Sequence, residues 1–201
     1  MELSEKGYNV ECMDAMEDEI EEFSKKAIEK KLRIKCRKLV WLEIPNNYKK
    51  DFFDMAFCRG NSFIYAAGGW NKMNRIDSKS SIGLYEKTLK IFYDSLKFGG
   101  YLYIDKFKDS EIHSKVKVGN AIIEGKKFDL LFYTEINRKE GFRRASMLLR
   151  DENGKEEGLP NMTYILTLPE LEKILRKVGF KEIKKLEIKS ENHFDILLCR
   201  K

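Results

Sequence analysis

The sequence predicts an α/β fold organised around a mainly parallel β-sheet. Up to residue 105, extended segments and segments of helical period follow one another in the order strand, helix, strand, strand, helix, strand. Parallel strands require crossover connections, and helices supply them in most such sheets. After residue 105, consecutive strand-like segments predict an added antiparallel β segment, and one helix with two strands closes the chain.

Length and composition indicate one globular domain. The chain has 201 residues, of which 42% are hydrophobic and 36% are charged, so it can bury a sizeable core. No apolar run is long enough to span a membrane, and the amino terminus lacks the pattern of a signal peptide. We therefore expect a cytoplasmic protein without a membrane partner.

Charge and cysteine usage narrow the function classes. The net charge of +6 permits an anionic partner such as nucleic acid, but lysines and glutamates are interleaved as on a solvated surface. The spacing of the four cysteines fits neither a metal site nor a redox motif, which predicts reduced core residues and no bound metal. These cysteines are Cys12, Cys36, Cys58 and Cys199.

The central stretch of the chain is the apolar run Phe52–Cys58. A run without alternation predicts a strand buried on both faces of a parallel sheet. It ends abruptly in Arg59, Gly60 and Asn61, where small and polar residues replace apolar ones. Ligands of open α/β sheets bind beyond the carboxyl ends of the strands, so we expect the functional site at this end.

Periodicity and turn chemistry predict the other elements of the first half. Before the central stretch they are the end of a helix at 1–6 closed by Gly7, a strand at 8–13 ending in Asp14, a helix at 15–31, a strand at 34–42 and a turn at 45–47. After it comes a helix that is capped by Ser80 or Ser81 and runs to Leu96, with Leu84 and Leu89 on its apolar face. A turn at 98–100 then leads into a strand at 101–105.

The second half predicts strands at 128–136, 142–150 and 162–166. Thr167 and Glu170 have the spacing of a capping box, and Pro169 stands where a missing N–H does no harm. They predict a helix that runs to Val178 and stops at Gly179. Closing strands follow at 180–188 and 193–199.

With these elements placed, the chain resembles class I S-adenosylmethionine-dependent methyltransferases, and within them the glycine/sarcosine N-methyltransferase-like group. The resemblance spans nearly the whole chain and is moderately specific, because it depends on the order and spacing of several motifs. The segments that carry it are GYNVECMD at 7–14, WLEI at 41–44, FDMAFCRGNSF at 53–63, GLYEKTLKIFYDSLKFGGYLYID at 83–105 and TYILTLPELEKILRKVGF at 163–180.

The resemblance implies a Rossmann-like sheet with an antiparallel last strand and S-adenosyl-L-methionine as the cofactor. It divides the chain into a cofactor-binding half at 1–105, an antiparallel substrate-side insertion at 106–167, and closing elements at 168–201. The implied catalytic residue is Asn61. The implied substrate-binding residues are Asn61, Tyr65 and Arg143. The implied cofactor-binding residues are Asp14, Ala15, Trp41, Leu42, Cys58, Arg59, Gly60 and Ser62.

Several of these assignments have structural alternatives. Asp14 suits two ribose hydroxyls, which we favour, but it also suits the N-cap of the following helix. Trp41 offers a face to adenine or packs as a core aromatic. Asn61 and Ser62 orient a substrate nucleophile or only form a turn. Family members have an apolar residue at Arg59, whose side chain faces either substrate or solvent.

Two features depart from the family pattern. The glycine-rich loop after the family's first strand is absent, so we hypothesise that a preceding segment of roughly 40 or more residues is missing. The arginine that grips the substrate carboxylate in glycine-methylating relatives has no clear equivalent near 160–163. Arg143 or Arg144 is the candidate to replace it.

The resulting expectation is a small-molecule methyltransferase, most readily acting on an amine nitrogen by alignment rather than with a dedicated base. The sequence places neither His113 nor His193 in a recognisable catalytic motif, which favours surface or structural roles over general-base catalysis. One alternative is a partner-dependent fragment without catalysis of its own. Another is a nucleic-acid methyltransferase, which the C-R-G-N-S strand ending disfavours. A homo-oligomer is compatible with the sequence.

Overall fold

The computed structural model describes residues 1–67, 78–108 and 114–201. Most of the predicted loop between Ala67 and Ser80, as well as His113, lies outside these ranges. The chain divides into two compact units, Met1–Lys49 and Lys50–Lys201. In the described part of the chain, no helix is long and apolar enough to cross a membrane.

The first unit contains a two-stranded parallel sheet and a helix connecting its strands. Its elements are α1 (Glu2–Glu5), β1 (Cys12–Asp14), α2 (Glu17–Glu29), β2 (Cys36–Lys38), a 3₁₀ helix (Trp41–Glu43) and α3 (Ile44–Asn47). The predicted close of the first helix is confirmed, since Gly7 has a φ of 85°. Ala27, Leu39 and Ile44 are among the buried residues of this unit.

Both strands of the first unit are shorter than predicted. Trp41 and Leu42 were expected at the end of a strand, but they lie in the 3₁₀ helix. The predicted turn at Pro45 is instead the first turn of α3. A proline at that position loses no intrahelical hydrogen bond, so turn-forming residues and a short helix start are compatible with the same sequence.

The second unit contains two four-stranded sheets and two long helices. In chain order its elements are β3 (Phe53–Cys58), a 3₁₀ helix (Ser62–Ala67), α4 (Ser78–Ser95), β4 (Leu96–Phe107), β5 (Ser114–Ile123), β6 (Lys126–Asn137), β7 (Phe142–Arg150), β8 (Glu156–Tyr164), α5 (Leu168–Val178), β9 (Glu182–Leu186), a 3₁₀ helix (Lys189–Glu191) and β10 (Phe194–Arg200).

The first of these sheets has the order β3-β4-β10-β9. β3 and β4 pair in parallel, and β10 is antiparallel to both β4 and β9, so the last strand is antiparallel as expected. Helices α4 and α5 pack against each other. Buried side chains of both helices and of the sheet form the core, including Tyr85, Leu89, Leu102, Leu175 and Leu197.

The expected burial of β3 on both faces is wrong. β3 is an edge strand of its sheet, and among the described strands it pairs with β4 alone. Met55 is 37% exposed and Phe57 is 50% exposed, whereas Cys58 at the end of the strand is buried. An apolar run indicates a strand, but it does not show whether a neighbouring element covers that strand.

Helix α4 and the turn after it differ from prediction in detail. Ser80 and Ser81 lie inside α4, and Leu84 is exposed while Tyr85 is fully buried. The Gly-Gly turn lies within the long strand β4 and shifts its register with β3. A Cβ at Gly100 would lie 2.9 Å from the carbonyl oxygen of Lys97, so only glycine fits this bend.

The antiparallel segment is a separate sheet with the order β5-β6-β7-β8. The three predicted strands are confirmed as β6, β7 and β8, although β8 begins at Glu156 inside the predicted loop. Strand β5 was not predicted, because its lysine-rich sequence has no apolar run at its start. A register shift between Lys117 and Gly119 also interrupts its pairing with β6.

The capping box before α5 is confirmed. The hydroxyl of Thr167 accepts a hydrogen bond from the backbone of Glu170, and the carboxylate of Glu170 accepts one from the backbone of Thr167. The helix ends at Gly179, which has a φ of 126°. The two closing strands are confirmed as β9 and β10.

All four cysteines were expected to be core residues, but two of them are not. Cys58 and Cys199 are buried, but Cys12 and Cys36 are only half-buried. Cys12 and Cys36 are partners in the parallel register of β1 and β2. Burial and the neighbouring Cys12 raise the pKa of the Cys36 thiol to about 12.

We predict that diamide links Cys12 to Cys36. Adjacent strands lie about 4.8 Å apart, within the Cα range that a disulfide bridges. Both thiols lose a proton and an electron, and diamide takes them up as the S–S bond forms. The rate should rise with pH, because the thiolate attacks and the pKa of Cys36 is high. Mass spectrometry of tryptic peptides identifies the link.

The other two cysteines serve as an internal control. Strand β4 separates Cys58 on β3 from Cys199 on β10, so these thiols are too far apart to pair. The variant Cys36→Ser should show no intramolecular link. A Cys58–Cys199 link, or none at Cys12 at any pH, contradicts the strand pairings described above.

Candidate functional site

The carboxyl end of β3 leads into a tight loop of unusual backbone conformation. Gly60 has a φ of 71° and Asn61 has a φ of 59°, so two successive residues are left-handed. Glycine adopts this region freely, and asparagine tolerates it better than most residues. The G-N pair at this position is therefore what the backbone path requires.

The carboxylate of Asp105 holds this loop. Its Oδ2 accepts a hydrogen bond from the backbone N–H of Gly60 at 3.0 Å, and its Oδ1 accepts one from Asn61 at 2.7 Å. Asp105 lies near the end of β4 and is 1% exposed. Burial raises the pKa of this carboxyl, and the hydrogen bonds from Asn61 and Gly60 act in the opposite direction.

Asn61 is attached to β4 as well. Its side-chain Oδ1 accepts a hydrogen bond from the backbone N–H of Phe107 at 3.1 Å, and the residue is 3% exposed. This bond uses the acceptor end of the carboxamide and leaves Nδ2 as its donor end. The turn-forming and substrate-orienting interpretations of Asn61 are thus compatible, because they use different atoms.

Arg59 and Ser62 make contacts within the unit. The Arg59 guanidinium forms an ion pair with Glu191 and lies 5.7 Å from the ring centroid of Tyr103. Its side chain remains 58% exposed. The Ser62 hydroxyl donates to the carbonyl of Arg59, as a turn-forming serine does. Burial and Glu191 raise the pKa of Tyr103 to about 12, so its phenol stays neutral.

The structure brings Tyr65 and Arg143 together. Tyr65 lies in the 3₁₀ helix after the loop, which contacts β8. Burial raises the pKa of Tyr65, and the charge of Arg143 opposes that rise. The guanidinium of Arg143 lies 4.5 Å from the ring centroid of Phe107. Since Phe107 also bonds Asn61, the three predicted substrate-side residues belong to one neighbourhood.

Arg144, the alternative to Arg143, points elsewhere. It is the next residue along β7 and therefore faces the other side of the sheet. Its guanidinium lies 3.5 Å from the carboxylate of Glu135. Arg143 is the better candidate for contact with a substrate.

The predicted cofactor residues of the first unit have their own contacts. The Asp14 Oδ1 accepts from the backbone N–H of Met16 at 2.8 Å, which forms a turn just before α2. The N-cap of α2 is Met16, so Asp14 does not cap the helix as the alternative interpretation expected. Ala15 is exposed, and Leu42 is 44% exposed. Trp41 is half-buried in the 3₁₀ helix. The second carboxylate oxygen of Asp14 is the one left for a ligand.

Two groups outside the predicted set belong to the second unit's site. Asp105 was predicted only as the end of a strand, and Asn161 on β8 was given no role. Asn161 is 1% exposed and lowers the pKa of the neighbouring Tyr65. A signal for Asp105 exists in the sequence, because it is an acid at the carboxyl end of a strand. Only the sheet register places Asn161.

Within the described ranges, no group of three or more His, Cys, Asp or Glu side chains is placed to hold a metal ion.

His193 immediately precedes β10, and its carbonyl accepts a hydrogen bond from the backbone N–H of Lys108. Burial and Asp105 raise the pKa of the Cys58 thiol, which therefore stays protonated. The contribution of Cys58 is consequently its backbone.

Solved structures show what this architecture is. The chain is similar to the CcbJ methyltransferase from Streptomyces caelestis, with a TM-score of 0.69 and 11% identity over 98% of this chain and 76% of that one. The chain has the class I methyltransferase fold. No family model and no curated protein sequence matches it.

Two further structures with this fold are similar over most of their length. One is CalS10 with bound SAM, an amino pentose methyltransferase from Micromonospora echinaspora, at a TM-score of 0.63 and 11% identity over 96% of this chain and 73% of that one. The other is the sugar N-methyltransferase KedS8 from a Streptoalloteichus species, with a TM-score of 0.63 and 16% identity over 94% of this chain and 69% of that one.

We predict that Asp105→Asn lowers the free energy of unfolding by about 1–3 kcal/mol, because one of the two loop N–H groups would then face an NH₂ group. Urea denaturation followed by circular dichroism measures the change. The matched control is Asp54→Asn, whose carboxylate is 84% exposed and pairs with Lys97 at the surface. Equal effects of the two substitutions would contradict the role given to Asp105.

Proposed function

We propose that this protein is an S-adenosylmethionine-dependent methyltransferase that acts on an amine nitrogen of a small molecule. The observation that carries the proposal is the loop at the carboxyl end of β3. Its left-handed Gly60 and Asn61 are fixed by Asp105, at the sheet edge where α/β proteins bind ligands. The similar structures include an amino pentose methyltransferase and a sugar N-methyltransferase.

The residues of this loop fit a ligand that approaches the backbone. A Cβ added at Gly60 would meet no atom closer than the Ser62 hydroxyl at 4.0 Å, so the space beside Gly60 is open. In this proposal the backbone of Cys58, Arg59 and Gly60 holds the methionine part of the cofactor. Ser62 supports it by closing the turn.

In the first unit, the proposal assigns the cofactor's ribose to Asp14. The oxygen of Asp14 that does not accept from Met16 is available as a charged acceptor for ribose hydroxyls. Trp41 offers an aromatic face for adenine. Ala15, which follows Asp14, and Leu42, which follows Trp41, complete the proposed cofactor-binding residues of this unit. When bound, S-adenosylmethionine supplies a methyl group already activated on a sulfonium.

Alignment is then the task of the chain's own residues. The Oδ1 of Asn61 is occupied by the N–H of Phe107, so this side chain contacts substrate through Nδ2. A carboxamide donor orients a substrate but takes no proton. Asn61 is thus a positioning group rather than a base, and transfer depends on geometry.

Tyr65 and Arg143 form the substrate side of the proposed site. The positive charge of Arg143 disfavours protonation of a nearby amine, and only a neutral amine has the lone pair that accepts a methyl group. The same guanidinium is the candidate partner for a carboxylate if the substrate is of the glycine or sarcosine type. That narrower grouping rests on the sequence segments alone.

A second candidate function follows from the edge position of β3. Met55 and Phe57 expose apolar surface on a strand with one described neighbour in its sheet. Open strand edges accept further strands. This favours a protein that requires a partner strand before it binds a cofactor. Calorimetry with S-adenosylhomocysteine distinguishes the two candidates, since only the independent enzyme binds it in isolation.

We predict that Asp14→Asn weakens S-adenosylhomocysteine binding about tenfold or more. Asparagine keeps a side-chain oxygen that accepts from the N–H of Met16, so the turn before α2 is retained while the charged acceptor for ribose is lost. Isothermal calorimetry measures the affinity. The control Asp18→Asn removes an exposed carboxylate from the first turn of the same helix and should leave affinity unchanged. An unchanged affinity in Asp14→Asn refutes the ribose assignment.

We predict that Asn61→Asp lowers kcat about 10- to 100-fold and leaves cofactor affinity nearly unchanged. Aspartate keeps an acceptor for the N–H of Phe107 and tolerates the left-handed backbone, but it lacks the Nδ2 donor. Steady-state methyl transfer measures kcat, and Asn153→Asp on an exposed turn is the control. A large loss of cofactor affinity would show that Asn61 contacts the cofactor instead.

A further inference from the structure

One face of the antiparallel sheet is polar and buried. Asn161 on β8, Ala145 on β7 and Thr134 on β6 are register partners, so their side chains point to the same face. Arg143 and Thr163, two residues away on their strands, share that face. Ala145, Thr134, Asn161 and Thr163 are all less than 9% exposed. A buried face of this composition needs hydrogen-bond partners.

Asn161 lacks such partners. It is 1% exposed, yet neither its Nδ2 nor its Oδ1 has a hydrogen-bond partner among the described residues. A buried carboxamide normally satisfies both ends, because leaving donor and acceptor unpaired away from water is unfavourable. The other buried unpartnered atom in the described ranges is Nε of Arg144, whose guanidinium still reaches Glu135. Asn161 is unsatisfied at both ends.

The unsatisfied amide neighbours the substrate-side residues of the proposed site. The charge of Arg143 and a side-chain contact with Asn161 both lower the pKa of the Tyr65 phenol, but the Asn161 contact falls short of hydrogen-bond geometry. Arg143 lies over the ring of Phe107, whose backbone N–H bonds Asn61. A chain of contacts thus connects Asn161 to the loop at the end of β3.

Other buried polar groups of this unit show that the fold can satisfy such groups internally. The ammonium of Lys106 is buried and donates to the carbonyl of Phe107 at 2.8 Å. The buried carboxylate of Asp195 pairs with Lys185 at 2.7 Å. Asp105 accepts two backbone N–H groups. Asn161 differs from these groups because its partner is missing.

We infer that Asn161 is a substrate-recognition residue whose carboxamide binds neighbouring hydroxyl groups of a polyhydroxylated amine. The inference rests on the proposed function and names the substrate class of the same site. A hydroxyl both donates and accepts, so two adjacent hydroxyls satisfy Nδ2 and Oδ1 together. A carboxylate would satisfy Nδ2 alone and place a negative charge beside Oδ1.

The first test uses the ligand-free protein. Asn161→Leu replaces the amide with an apolar side chain of similar volume, which removes the unsatisfied groups. We expect the melting temperature to rise by about 2 °C or more. Asn120→Leu, on the exposed side of β5, is the control and should give no rise. A melting temperature of Asn161→Leu lower than that of this control shows a structural amide and overturns the inference.

The second test measures binding of defined probes to the full chain by calorimetry. D-glucosamine and D-galactosamine carry hydroxyls next to an amine, and cyclohexylamine has the ring and the amine without them. We expect the wild-type protein to prefer at least one amino sugar over cyclohexylamine about tenfold or more. The preference should disappear in Asn161→Leu and persist in Asn120→Leu. No preference in the wild type, or one that survives Asn161→Leu, overturns the inference.

These outcomes separate the inference from the proposed function. Selective binding of an amino sugar that depends on Asn161, without any methyl transfer to it, supports the recognition role and contradicts the methyltransferase. Methyl transfer from S-adenosylmethionine to cyclohexylamine and amino sugars alike supports the methyltransferase and contradicts the recognition role.

Discussion

The two hydrogen bonds that Asp105 accepts from the backbone of Gly60 and Asn61 fix the loop on which the candidate site of the second unit is built. A left-handed loop cannot continue the ladder of β3, so its N–H groups need another acceptor. The parallel pairing supplies it, because Cys58 lies opposite Ile104 and Asp105 is the next residue. The same loop places Asn61 against Phe107. The register between β3 and β4 therefore determines the geometry of the loop and of Asn61.

Elements whose cause is local were predictable from the sequence. The capping box of Thr167 and Glu170 and the stop at Gly179 need only residues within one helix. The end of β3 at Cys58 was visible because Gly60 and Asn61 follow it. Such features arise from backbone preferences and short-range hydrogen bonds, which depend on neighbours in the chain. The sequence contains all the information they require.

Features that depend on a partner element were not predictable in the same way. The composition of β3 does not reveal that Phe57 is half-exposed, because exposure depends on which strands lie beside it. Cys12 and Cys36 are 24 positions apart, and only the parallel register makes them neighbours. Strand β5 becomes a strand by pairing with β6 despite its weak apolar pattern. Tertiary pairing decides each of these.

The candidate site contains both kinds of feature, and this division bears on function. Asn61 was found from the chain, but Asp105 and Asn161 acquire meaning only when strands bring them beside Asn61 and Tyr65. The fold gives each carboxylate oxygen of Asp105 a backbone donor and leaves the carboxamide of Asn161 unpaired. A group whose oxygens already have donors from the protein fixes the scaffold and has less to gain from a ligand. An unsaturated one gains its missing partners when a ligand binds, so within this site the capacity for recognition lies at Asn161.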